Sequence, residues 1–159
     1  MLKFLKNFLI FIILCLLQIY CQGNFFVRPI IDFLLIFLVF SLFDFPLLYL
    51  VILIVIRGLI FDTLSGLSWG INLFSLGIAF GAGFLMMYFL ERKNFVSQII
   101  IGEVIINVYF ISLYLLNIIT SHQHLGPIVI FDILINDLLY LGLMFLNRYV
   151  QKKQLHRSR

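Results

Sequence analysis

Gly58-Leu-Ile-Phe-Asp62-Thr-Leu-Ser65-Gly66-Leu-Ser-Trp-Gly70-Ile-Asn72 breaks an otherwise almost continuous apolar sequence with glycines, one carboxylate and small hydroxyls. A carboxylate set deep in such a sequence is costly unless it is paired, hydrated or protonated, and acids inside apolar spans serve function or assembly by default. The reading of this stretch therefore depends on what surrounds it. The chain has 159 residues, of which 64% are apolar, 17% aromatic and only 11% charged. Soluble domains keep about a quarter of their residues charged to cover their surface. The solvent facing most of this chain is expected to be lipid.

Outward from the motif, the apolar runs fall into six segments, with approximate helices at 4–22, 28–43, 46–61, 71–90, 96–119 and 127–147 and a basic tail at 148–159. The expected fold is an all-α polytopic membrane protein with six transmembrane helices and a single integral membrane domain. The first segment starts like a signal peptide, Met-Leu-Lys-Phe-Leu-Lys, but small residues are missing from the positions a cleavage site needs, so it reads as an uncleaved helix. Arg28-Pro29 opens the second segment, since proline is tolerated in a first helical turn. Residues 30–43 number only fourteen, short of the roughly 20 that a straight crossing takes. Asp44-Phe45-Pro46 then signals a turn into the third run. A re-entrant hairpin of the second and third runs is the alternative to two crossings.

Orientation follows from the cations. Six crossings from an inside N-terminus put Lys3, Lys6, Arg92, Lys93, Arg148, Lys152, Lys153, Arg157 and Arg159 inside and only Arg28 outside, with Arg57 within a span. Nine against one fits the inside excess of Lys and Arg, with both termini cytoplasmic. The same count places the loop from Asp62 to Gly70, and His122 and His124, on the outer side. Because the basic residues gather at the termini and one loop rather than on an aromatic-bearing face, nucleic acid is not an expected partner.

Several residue groups invite chemistry. Asp62 and Arg57 are the most suggestive charge pair, although five residues is a poor helical match. Asp62 either anchors a polar pocket or partner contact, or caps a helix through the amides of the Thr63–Gly66 turn. Glu103 with Asn107, and Asp132 with Asn136, are pairs four apart that facing helices can join in one network. Gly66, Gly70, Gly77 and Gly81 recur at four, seven and four, so helical parts of this stretch carry them on one face, with close internal packing as the expected use. His122-x-His124 lacks the company of a metal site. Cys15 and Cys21 read as apolar filler. No nucleophile–base pair, Walker A or metalloprotease motif is present in the sequence, so no catalytic, cofactor-binding or metal residue is assigned and the chain is read as a non-enzyme.

Arg28-Pro29, two short apolar runs, then Gly58-x-x-x-Asp62-x-x-Ser65-Gly66-x-x-x-Gly70 and a late helix with Asn136 before a basic tail resemble the rod shape-determining MreD family. The similarity extends over nearly the whole chain. It implies a non-enzymatic inner-membrane scaffold of the bacterial cell-elongation complex, associated with MreC and, directly or indirectly, with MreB and the peptidoglycan synthases. It also implies a fold similar to the six-helix substrate-binding subunits of energy-coupling-factor transporters. The chain departs from the pattern at Asp44-Phe45-Pro46, a very short connection without a basic residue, and Asp32 and Asp137 take no family role. A vitamin-binding subunit of such a transporter is the competing reading, suggested by six helices, small size and a polar centre.

Overall fold

In a computed structural model of the protein, which describes residues 2–24, 31–64, 70–121 and 128–157, six α-helices carry the fold and no strand occurs among the described residues. They are α1 (Leu2–Asn24), α2 (Phe33–Asp44), α3 (Leu47–Leu64), α4 (Ile71–Phe89), α5 (Phe95–Ser121) and α6 (Ile128–Arg157). Three of them contain segments long and apolar enough to cross a membrane: Ile71–Phe89, Phe95–Thr120 and Val129–Lys153.

α2 lies at the heart of the bundle, against α1, α3 and α5. Leu34, Leu35, Leu38 and Val39 are wholly inaccessible, which explains why its sequence is apolar on all sides rather than along one stripe. Its 12 residues rise only about 18 Å. The expected start at residue 28 is corrected here, because Ile31 and Asp32 are not helical and the helix begins at Phe33. Asp32 sets that start: its carboxylate accepts the Leu35 amide at 2.8 Å. At the other end the turn through Phe45 and Pro46 releases two carbonyls, and Arg92 from the α4–α5 connection donates to Leu42 O at 2.6 Å and Phe45 O at 3.4 Å. A cation thus closes the negative end of α2. Phe45-Pro46 lacks a base of its own, and Arg92 supplies one from elsewhere in the chain.

α4 and α5 form the most extensive helix pair, and α5 also packs on α6 and α2. Close approaches use glycines other than the predicted stripe. A Cβ on Gly58 would stand 2.8 Å from Leu73 Cα, so α3 and α4 meet backbone to backbone there. Gly102 leaves room for the ring of Tyr140, which is fully buried and donates its hydroxyl to Gln98 O at 2.8 Å. Outside this core, Leu16, Leu48, Tyr88, Phe89, Phe131 and Leu138 are among many large apolar side chains left exposed, a surface suited to lipid rather than water. The chain is a helical bundle of membrane character. α6 runs ten residues past its expected end at 147, because the tail's Gln, Lys, Leu and Arg are good helix formers that need no core.

A buried polar cluster as the candidate functional site

Arg57, in the C-terminal half of α3, is completely buried, and in a helical bundle a buried cation requires a partner. The partner is Asp32 at the start of α2. Arg57 Nη2 forms an ion pair with Asp32 Oδ2, while Oδ1 of the same carboxylate holds the Leu35 amide. Arg57 Nη2 also donates to the Tyr109 hydroxyl at 3.2 Å, and that hydroxyl donates to Asn72 Oδ1 at 3.2 Å. The guanidinium carbon sits 4.9 Å from the Tyr109 ring centre and 5.2 Å from that of Phe61, so two aromatic faces share its charge. Nε and Nη1 make no hydrogen bond among the described residues.

The expected Asp62–Arg57 pair is overturned. Five residues along a helix turn a side chain by about 140° from its predecessor, and Asp62 points to α4 instead. Its carboxylate accepts amides from Gly70 at 3.0 Å, Asn72 at 2.8 Å and Leu73 at 3.4 Å. Asp62 caps the start of α4; the Ser65 and Gly66 amides of the expected Thr63–Gly66 cap lie outside the described residues. α4 needs one from outside because its own N-cap residue, Gly70, has no side chain and sits at φ 94°, a left-handed conformation that glycine adopts without strain.

α1 and α6 complete the cluster. Gln18 grips the entry to α2 with both ends of its amide, donating to Ile31 O at 3.0 Å and accepting from Phe33 N at 3.3 Å. Asn136, wholly buried in α6, accepts the Asp32 amide at 2.8 Å and donates to Asp132 O at 2.7 Å, and Tyr114 donates to the Asp132 carboxylate. Five helices, with the residue that caps α2, therefore contribute polar side chains to one end of the bundle.

Of the residues singled out in the sequence, Gly58, Asp62 and Gly70 converge at the α3–α4 joint, and Asn136 joins the Asp32 side of the cluster. Arg28, Pro29, Ser65, Gly66, His122 and His124 lie outside the described residues. Gly77 and Gly81 do not pack internally as expected: both are on the outer face of α4 with open space where a Cβ would stand. The inward glycine of that helix is Gly83, against Ile105. Asn107 and Asn136 each bond the backbone carbonyl four residues back rather than the acid side chain, and Asn107 also reaches Asp137 at 3.1 Å across to α6. Cys15 is buried in the core.

Sequence reasoning missed Asp32 and Tyr109. Asp32 carried a signal, an acid just ahead of an apolar run where helix caps belong. Tyr109 carried none, since a tyrosine among apolar residues looks like any other core aromatic.

Chemically, the cluster is built to hold helices together. Its carboxylates are committed to amides, to Arg57 and to the Tyr114 hydroxyl, and among the described residues no group of three or more His, Cys, Asp or Glu is placed to hold a metal ion. No protein-family model matches the chain, and no curated protein or solved structure is significantly similar to it.

Proposed function

We propose that the chain is a non-enzymatic membrane scaffold of the bacterial cell-elongation complex, of the MreD kind, spanning the inner membrane six times with both termini in the cytoplasm. The observation that carries this reading is the use made of Asp62. The one acid of the Gly58–Gly70 motif is spent on capping α4, as a structural signature would be and a catalytic acid would not. In this reading the bundle links MreC, and through it MreB and the peptidoglycan synthases, to the site of wall growth. The outer face of α4 offers a partner's membrane helix a place to lie, because Gly77 and Gly81 are open between the exposed Phe74, Ile78 and Leu85. Small residues four apart let two helices approach closely in lipid.

Deleting the gene in its rod-shaped host tests the proposal. Rounding of the cells, reversed by the intact gene, is the expected result, and unchanged rods at normal growth rate would refute it. One observation favours a second reading, a small-molecule-binding subunit of an energy-coupling-factor transporter: among the described residues Nε and Nη1 of the buried Arg57 lack hydrogen bonds, and an anionic ligand group would be welcome there. A vitamin copurifying with the detergent-extracted protein, together with unchanged cell shape on deletion, would select it.

A further inference from the structure

At the end of the bundle opposite the Arg57 cluster, the α4–α5 connection and the start of α5 face the C-terminal part of α6 across a polar recess of about 210 Å³. Lys93 and Arg148 stand on its two sides. Gln98, Asn147 and Gln151 add amide groups, and Phe95 and Met144 form its apolar floor. The recess is smaller than the roughly 300–1,000 Å³ of sites that enclose whole small-molecule ligands, and suits a single polar headgroup.

Arg148 is held in place, and neither cation is neutralised. The Arg148 guanidinium lies 4.2 Å from the centre of the Phe95 ring, and that ring meets Phe145 edge-on at 5.6 Å, which fixes the arginine over the recess. Among the described residues the ion pair is Arg57 with Asp32, so neither Lys93 nor Arg148 has a carboxylate within bonding distance, Glu91 of the same connection included. Gln98 is held by donating to Arg92 O at 3.1 Å. The neighbouring Arg92 is occupied by the end of α2. Towards the middle of the bundle the next residues, Val96, Phe145 and Leu146, are exposed and apolar. A recess with two uncompensated cations on one side and a lipid-suited surface on the other matches a molecule with a phosphate and acyl chains.

We propose that this recess binds the headgroup phosphate of an anionic phospholipid, with Lys93 and Arg148 as its charge partners and the amides of Asn147 and Gln151 as additional donors. Bound lipid then pins the α4–α5 connection to α6. The inference rests on the membrane-embedded reading and is independent of any role in cell shape.

Native mass spectrometry of the detergent-solubilised protein, titrated with phosphatidylglycerol and with phosphatidylcholine of the same chains, tests it. Phosphatidylglycerol is expected to bind selectively. Lys93→Gln with Arg148→Gln should weaken it roughly 30-fold, while Lys152→Gln with Lys153→Gln, which removes equal charge from the tail, should change it less than about threefold. Arg148→Lys, which keeps the charge and loses the stacking on Phe95, should fall between. Equal binding of the two lipids, an equal loss in the tail pair, or displacement of the lipid by millimolar inorganic phosphate would each overturn the proposal. Extraction of the native membranes at alkaline pH separates the two levels. Release of the protein would sink the membrane reading and this inference together, whereas retention with unselective lipid binding would sink this inference alone.

Discussion

Asp32 divides its carboxylate between two tasks: Oδ1 caps α2 at Leu35 and Oδ2 neutralises Arg57, so one side chain both starts the central helix and binds it to α3. The arrangement explains how a helix of only 12 residues can begin inside a bundle without exposing its first amides to lipid. The Asp32 amide itself goes to Asn136, and the next one, that of Phe33, to Gln18.

Asp32→Asn keeps a capping oxygen and removes the charge, leaving Arg57 buried and uncompensated. We expect a loss of about 3–5 kcal/mol, the usual result of breaking one side of a buried pair. Adding Arg57→Met to Asp32→Asn should recover most of it. Thermal unfolding in detergent of the two single variants and the double variant measures the coupling, and strictly additive losses would show that the pair is not energetically linked.

Asp62 makes the opposite prediction about charge. Because its oxygens serve three backbone amides and not Arg57, Asn at 62 should retain most of the cap, whereas Ala should cost about 1–2 kcal/mol. Under the proposed function, Asp62→Asn at normal protein level is expected to sustain rod shape in cells and Asp62→Ala to lose it. Equal loss in both variants would point to a needed charge instead.

The six helices were legible because each apolar run is bounded by glycine, proline or charge, and those boundaries are local. Asp62 as a cap was also legible, although not which helix it caps, since the receiving amides lie eight to eleven residues on, beyond a turn. The Arg57–Asp32 pair was not, because 25 residues and a chain reversal separate its members, and the sequence offers Arg57 a nearer acid. The side facing inward on α4 was equally hidden. Helical spacing puts Gly77 and Gly81 on one face without saying whether that face meets protein or lipid, and in a membrane helix apolar residues occupy both sides. Gly83 and Gly102, which do pack inward, have no distinguishing neighbours in the sequence.

Gly102→Ala places a Cβ about 2.2 Å from the Tyr140 hydroxyl and ring, and Tyr140 is fixed by burial and by its bond to Gln98. Overpacking of this kind costs typically about 1–3 kcal/mol. Gly142→Ala, on α6 with open space around it, should be nearly neutral. A comparison of melting temperatures decides the matter, and equal melting would mean that α5 and α6 separate more easily than their packing implies.

Gly77 and Gly81 separate folding from assembly. Since nothing lies within 4 Å of a Cβ at either position, Gly77→Leu with Gly81→Leu should leave the melting temperature of the isolated protein within about a degree or two, as surface changes away from special features do. The same leucines would fill the shallow groove into which a partner helix must settle, and closely packed helices tolerate little added bulk at the crossing point. Under the proposed function, cysteine crosslinking from Phe74 or Ile78 to the membrane helix of MreC is therefore expected in the parent protein and expected to vanish in the double leucine variant. Crosslinks that persist undiminished would place the partner on another face, with the exposed side of α6 next in line because its membrane-length segment is the least buried of the three.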